Sequence, residues 1–407
     1  MALHSYDDAL ALIGALPIEQ EVGSVPLGQA QGRILAREVL ADRDQPPFDR
    51  ATMDGFALLP GEGESFRVLG SVMAGDSSSP SPKAGEAVAI MTGAPVPPGC
   101  CVIPVEQTER MGECVVIASE YELRPRRNVA PQGEDARGGD RVLAQGTRLS
   151  VTGIAAAAMA GAREVQVYVP PRLGICTTGD EVGGEGPAGI ADCNGPLLTA
   201  FAQTLGLPWE RGHARDEVQH LAETLTFLTE RSDVVVTVGG VSMGERDLVP
   251  GVSRELGFET VLHKIAIQPG KPVLLGRRSD GKVLLGLPGN PVSVLATAHL
   301  FLAPLLGRFM GNWKPTWVTR PLARAYQHRG KRRLFLPARL DGAGLHPLAW
   351  NGSGDLYSAT AGDGLVDLAP GGTWDQGSPL RFLPYLDQNV GEHSVLPARA
   401  GDDTSRC

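Results

Sequence analysis

Val234-Val235-Val236-Thr237-Val238-Gly239-Gly240 is the stretch that decides the fold. Five β-branched residues in a row leave no polar face, the pattern of a parallel strand covered by helices on both sides. The run stops at two glycines and continues as Val241-Ser242-Met243-Gly244-Glu245-Arg246-Asp247. The same construction, a short apolar strand ending in a glycine-bearing polar loop, recurs on either side. Leu173-Gly174-Ile175-Cys176-Thr177 leads into Thr178-Gly179-Asp180-Glu181, and a strand over residues 283–285 leads into Leu287-Pro288-Gly289-Asn290-Pro291. Between and after these strands the pattern is helical: residues 197–205 with Asn194 as cap, residues 216–230 opening at Asp216, and a long helix from Pro291. Alternating strands and helices predict a doubly wound α/β domain over residues 171–311. Ligands of such sheets bind beyond the carboxyl ends of the strands. In any one loop, Gly and Asp need do no more than turn the chain; three such loops at one edge point to a pocket.

Working outward, Ser5 caps a helix that begins at Tyr6 with acids in its first turn. A second helix is expected over residues 32–39, and Pro46-Pro47 ends any helix there. Residues 46–146 then alternate short β-like runs (Phe66-Arg67-Val68-Leu69, Ala87-Val88-Ala89-Ile90-Met91, Cys101-Val102-Ile103-Pro104-Val105, Cys114-Val115-Val116-Ile117) with Gly, Pro and Asp turns. They read as an inserted β domain. Residues 1–45 and 147–170, the latter holding an Ala-rich helix, would form one linking domain around it. Residues 312–387 read as a small carboxy-terminal β domain and residues 388–407 as a disordered tail. The fold class is multi-domain α/β plus β.

Composition narrows the function classes. The chain has 407 residues, with 37 basic against 46 acidic and a formal charge of −9. That balance offers no footprint for nucleic acid or an anionic membrane. Apolar stretches around residues 154–162 and 292–306 read as too short or too interrupted to span a bilayer. The six cysteines form no Cys-x-x-Cys pair, and Cys100-Cys101 reads as part of a buried strand. The amino terminus lacks the blocks of a signal peptide, so the cytoplasm is the expected compartment.

Chemistry gathers in a few places. The Pro288-to-Ser293 loop suits a helix start, with Asn290 as cap and Pro291 at the first position, where an anion is favoured by free N–H groups. In His263-Lys264-Ile265-Ala266-Ile267-Gln268-Pro269-Gly270-Lys271, strand alternation would put Lys264, Ala266 and Gln268 on one face, with Lys271 swung back towards it. Two ammonium groups and an amide suit an oxyanion; lysines on an edge strand also serve solubility alone. Carboxylates at Asp54, Glu181, Asp216 and Asp247 could hold Mg²⁺, a hard ion that takes oxygen ligands and phosphate substrates. Residue spacing alone does not bring Asp54 to the others.

Taken in order, these segments resemble the molybdopterin molybdenumtransferase family, which includes the carboxy-terminal region of gephyrin. The motifs are Pro47-Phe48-Asp49-Arg50-Ala51-Thr52-Met53-Asp54-Gly55-Phe56, Ile90-Met91-Thr92-Gly93-Ala94, Gly133-Glu134-Asp135 and Thr178-Gly179-Asp180-Glu181. They continue with Gly239-Gly240-Val241-Ser242, Pro269-Gly270-Lys271-Pro272 and Leu287-Pro288-Gly289-Asn290-Pro291. The resemblance implies a homodimer whose active cleft lies between subunits. It implies that adenylylated molybdopterin and molybdate bind, and that Mg²⁺-dependent cleavage releases AMP and molybdenum cofactor. Asp54, Glu181, Asp216 and Asp247 would be the metal and catalytic carboxylates, with Lys264 and Lys271 on the oxyanion or phosphate. Thr92, Asp135, Thr178, Gly179, Asp180, Gly240, Ser242, Gln268, Pro288, Gly289, Asn290, Pro291 and Ser353 would contact substrate. Gln268 stands where some members carry lysine, which leaves molybdate against tungstate open. A separate molybdopterin adenylyltransferase would supply the substrate, and molybdoenzymes or their chaperones would take the product. The alternatives are an adenylyltransferase of the same pathway and a non-catalytic scaffold of the gephyrin type.

Overall fold

The computed structural model describes residues 3–61, 63–76, 79–118, 120–183, 189–241 and 247–386. Ser242 and residues 388–407, on which two of the expectations above fall, lie outside them. The chain divides into two compact units, one of residues 1–23 and 168–407, the other of residues 24–167.

The first unit is built around the predicted α/β sheet. Its six strands run in the order Trp209–Ala214, Leu173–Thr178, Val234–Val238, Val283–Leu287, Leu274–Arg277, Glu259–His263. The first four are parallel and the last two antiparallel. All five residues of Val234–Val238 are buried, as an unbroken β-branched run requires when both faces are covered. Cys176, Val235 and Leu284 pack with Leu221, Leu225 and Leu228 of the Val218–Arg231 helix and with Val249 and Val252 of Val249–Glu255. The Asn194–Thr204 and Pro291–Thr297 helices pack on each other and on the Leu173–Thr178 and Val283–Leu287 strands. Alternate strand positions such as Ile175, Val236 and Leu285, all fully buried, serve that second layer.

A continuous helical run, Pro291–Phe309, follows the last parallel strand and is long and apolar enough to cross a membrane by length and composition. Its burial inside the protein, 78%, accounts for the apolarity instead: it is a core helix. Within it Ala298–Leu302 is a π-helical segment. A second six-stranded sheet comprises Ile267–Gln268, Arg333–Asp341, Gly364–Leu368, Pro379–Pro384 and Val318–Pro321, with Gly344–Pro347 paired to Arg333–Asp341. Phe382, Leu336 and Val366 centre its core.

In the other unit, six strands are ordered Cys101–Pro104, Gly55–Leu58, Glu86–Ile90, Ser65–Val72, Cys114–Ile117, Thr108–Met111. Apolar clusters cover both faces, one around Ala57, Val88 and Val102, the other around Leu58, Ala87 and Ile103. Cys100 and Cys101 are buried free thiols, and burial pushes Cys100 up to about 11. The same unit holds the Ala-rich helix, Val151–Met159, capped by Ser150.

One expected helix is absent. Residues 32–39 make bridges instead: Leu35 N–H donates to Thr147 O, Ala36 N–H to Gln166 O and Gly32 N–H to Leu149 O. These long-range bonds satisfy the backbone groups that a helix would have paired locally, and Gly32 at φ 75° supplies the turn.

Candidate active site

In the α/β sheet the three glycine-bearing loops do converge. A cleft of about 340 Å³ at the carboxyl ends of the parallel strands is lined by Thr178, Gly179, Glu181, Asp216, Gly240, Asp247, Gly289, Asn290 and Pro291. Thr177, Asp192, Cys193, Asn194 and Gly239 also line it.

Glycine carves this space. Gly239 has φ 91°, and a methyl there would meet Thr178 Oγ1 at 2.7 Å. That hydroxyl is committed, donating to Val238 O at 3.1 Å. Gly179, at φ 123°, leaves room for the Glu181 carboxylate, which an added Cβ would approach at 2.6 Å. Asp180 does not line the cleft. Its Oδ1 accepts from Asp216 N–H at 3.2 Å and so ties the Asp216 loop to the Gly179 loop.

Two caps expected from sequence work differently. Asn194 Nδ2 donates to Gly289 O at 2.7 Å, clamping two cleft loops together. The helix behind it is capped by Asp192, whose Oδ1 accepts from Gly195 N–H at 2.9 Å while its Oδ2 pairs with Arg211. Asn290 likewise makes no side-chain cap; its Nδ2 donates to Ser353 Oγ at 2.7 Å. Val292 N–H donates to Ser353 O at 3.0 Å. One of the N–H groups expected to receive an anion is therefore already used, and Ser353 reaches the loop from the turn that follows Gly344–Pro347. Pro288 is buried beneath the loop and does not line the cleft. The signal missed in the sequence is Asp192-Cys193-Asn194-Gly195: an acid two residues before a helix start is a cap, and it frees the asparagine for another loop.

The lysine strand needs correction. Glu259–His263 ends before Lys264, which takes φ 73°, and Gln268 belongs to Ile267–Gln268, paired with Arg333–Asp341 in the other sheet. Lys264 and Gln268 thus do not share the face of one strand, because the left-handed residue breaks the alternation on which that expectation rested. Lys264 and Lys271 are nevertheless brought together along the backbone, since Ile265 N–H donates to Lys271 O at 2.9 Å and Lys264 N–H to Val273 O at 2.9 Å. Next to Lys264, His263 Nε2 lies 3.0 Å from Val241 O, in the loop after the Val234–Val238 strand. Gly270 sits against Thr297 of the core helix, 2.4 Å from where its Cβ would be. Neither lysine nor Gln268 lines the described cleft.

Asp54, Thr92 and Asp135 belong to the other unit. Asp54 Oδ1 accepts from Thr92 N–H at 2.6 Å and from Thr92 Oγ1 at 2.7 Å. The backbone bond first and the hydroxyl second hold this exposed carboxyl below its ordinary range. Gly55 is obligatory beside it, for a Cβ would fall 1.8 Å from Ile103 O. Asp135 N–H donates to Gln45 O at 2.9 Å, in a turn further along the same unit.

Among the described residues no three carboxylate, imidazole or thiol groups come together as a ready-made metal cage. Glu181, Asp216 and Asp247 still share one cleft. That arrangement fits Mg²⁺, which keeps its waters and is commonly bound by one or two carboxylates together with substrate phosphates.

Residues 4–161 match the family model described as "MoeA N-terminal region (domain I and II)", and residues 174–308 match "Probable molybdopterin binding domain". A protein of Synechococcus elongatus called molybdopterin molybdenumtransferase is 34% identical over 352 residues, 81% of this chain and 85% of that protein. One of the same name from Staphylococcus aureus is 30% identical over 374 residues, 86% of this chain and 87% of its own. The crystal structure of a molybdopterin biosynthesis MoeA protein from Pyrococcus horikosii superposes with a TM-score of 0.78 at 32% identity, covering 94% of this chain and 99% of that one.

Proposed function

This chain belongs to the molybdopterin molybdenumtransferase family, transferases of molybdenum cofactor biosynthesis, and from that premise we propose how it works. The substrates are adenylylated molybdopterin and molybdate, and the products are AMP and molybdenum cofactor. The protein acts as a homodimer in the cytoplasm, receiving its pterin from an adenylyltransferase and passing cofactor to molybdoenzymes or their chaperones. Each active site combines Asp54, Thr92 and Asp135 of one subunit with the α/β cleft of its partner.

The observation that carries this reading is the convergence of Glu181, Asp216 and Asp247 on one glycine-carved cleft in an α/β domain. Three carboxylates there would repel an anionic substrate unless a divalent cation lay between them. Mg²⁺ held by one or two of Glu181, Asp216 and Asp247 together with substrate phosphate would neutralise charge that builds on the pyrophosphate as it breaks. The chain's own residues do the rest. Thr178, Gly179 and Gly240 form a floor that admits the pterin phosphate closely, and the Asn194-to-Gly289 and Asn290-to-Ser353 bonds hold the cleft loops to one shape. Lys264 and Lys271 supply the positive charge for molybdate. Thr92 fixes the orientation of the Asp54 carboxylate, which would accept a hydrogen bond from the water whose oxygen attacks the pyrophosphate as AMP leaves.

The test is to add molybdate and Mg²⁺ to the purified protein with adenylylated molybdopterin and follow AMP. Stoichiometric, molybdate-dependent AMP release is expected. Adenylylation of free molybdopterin by ATP, with no molybdate-dependent release, would give the adenylyltransferase reading instead.

A further inference from the structure

A second cavity, about 660 Å³, lies in the same unit and shares no residue with the active cleft. It is walled by Tyr6, Leu10 and Ile13 of the Tyr6–Gly14 helix, by His299, Pro304 and Arg308 of the core helix, and by the Trp313–Trp317 loop with Arg381 and Leu383. Its lining holds three cations, Arg308, Lys314 and Arg381, and not one carboxylate. Two acids of the neighbouring elements are engaged by Arg333: Asp367 binds it through both oxygens at 2.7 and 2.8 Å, and Asp7 pairs with it at 2.9 Å. Arg381 reaches Asp367 only at 3.7 Å and instead lies over the Trp317 ring, 4.5 Å from its centroid.

The walls are aromatic and fixed. Tyr6, buried and pushed up to about 12 by that burial, packs at 4.9 Å from Phe335 and 6.4 Å from Trp317. His299 sits in the π-helical segment, a device often found at functional sites. Its Nε2 accepts from Leu386 N–H at 3.2 Å, so its Nδ1–H donates to Leu295 O at 2.8 Å, which makes the ring neutral and its tautomer single. Gly307 lets the Trp313 backbone cross the core helix, where a Cβ would stand 1.6 Å from Trp313 O. The buried Nε of Arg308 has no hydrogen-bond partner among the described residues. A preformed apolar hole with aromatic walls, three cations and no carboxylate in its lining selects a flat, negatively charged guest.

We propose that this cavity is a second binding site, for a planar aromatic anion whose rings lie against the indole walls and whose acid group meets Lys314 and Arg381. It is independent of the reaction assigned to the cleft. The test uses the full-length protein and calorimetric titration with 2-naphthoate, alongside neutral 2-naphthamide and ring-free acetate. The expected result is one saturable 2-naphthoate site per chain with Kd below about 1 mM, with 2-naphthamide at least about tenfold weaker and acetate silent. Lys314→Gln and Arg381→Gln, both at exposed positions, should each weaken 2-naphthoate by about two- to fivefold with unchanged melting curves, and Trp317→Leu should weaken all ring-bearing probes. No saturable binding, equal affinity for the amide, or unaltered affinity in both charge variants would overturn the proposal.

Discussion

The two carboxylate-bearing regions of this protein are organised in opposite ways. At the edge of the β-rich unit, Asp54 is held by a single neighbour, Thr92, through two short bonds to one oxygen. In the α/β unit, the side chains of the cleft are set around a hole made by Gly179, Gly239 and Gly289, with the loops clamped to each other by Asn194 and Asp180. The first region fixes a charge; the second fixes a shape. The reaction proposed between two anionic substrates would need both, since a preset charge is of no use unless the reacting atoms are also held at a set distance.

The largest effect should come from removing the fixed charge. Asp54→Ala should cut molybdate-dependent AMP release by about 100-fold or more, the scale on which positioned catalytic groups act, while the protein still folds, because the residue is exposed and not part of a core. Normal turnover would remove Asp54 from the site. Disturbing the shape should instead show in stability as well. Gly239→Ala must take φ 91° with a methyl 2.7 Å from Thr178 Oγ1, and overpacking of this kind is destabilising by about 1–3 kcal/mol. Denaturant unfolding should register it together with a loss of activity; a variant as stable as wild type would mean the loops relax freely.

A smaller and more particular effect separates the two regions further. Thr92→Val keeps the backbone bond to Asp54 and deletes the hydroxyl bond, so the carboxyl should rise part of the way towards its ordinary value. The folded Asp54 titrates below the unfolded reference of about 3.9. Its stabilising contribution is therefore present above that reference and is lost as pH falls through the lower folded value. In Thr92→Val the acid limbs of stability and of activity should both move to higher pH. An unmoved acid limb would show that the hydroxyl bond does not tune Asp54. The smallest change expected is in Gln268→Lys, which adds one positive charge beside the Lys264–Lys271 turn and should tighten molybdate by about two- to fivefold. Unchanged or weaker binding in a direct titration would take Gln268 away from the oxyanion.

Much of this contrast could be read before any coordinates. The β-branched run at Val234–Val238 is buried on both faces as its composition demands, and the three loops that end in glycine meet in one cleft. What sequence could not supply was mostly tertiary competition for backbone and amide groups. Residues 32–39 have helical composition, yet their N–H groups go to Thr147, Leu149 and Gln166, more than a hundred residues away in the chain. Asn194 and Asn290 have the residue type and position of caps, but their amides serve Gly289 and Ser353 on other loops. The strand alternation at Lys264 failed because a non-glycine residue took a left-handed conformation, which no pattern of hydrophobicity announces. Asp192 caps Gly195 locally, but its bonds to Arg211 and Thr177 join neighbours in the sheet that are distant in sequence.

In the proposed dimer the fixed charge of one subunit works on the shaped cleft of the other, which can be probed by mixing two dead variants. Asp54→Ala and Glu181→Gln chains, co-expressed and purified through separate tags, should regain activity that neither has alone. Random pairing puts both lesions in one site of each mixed dimer and leaves the other site intact, so about a quarter of wild-type AMP release is expected in the unfractionated mixture and about half in the isolated mixed dimer. Mixed dimers as inactive as either parent would mean that each site is built within a single subunit or that Asp54 and Glu181 do not share one.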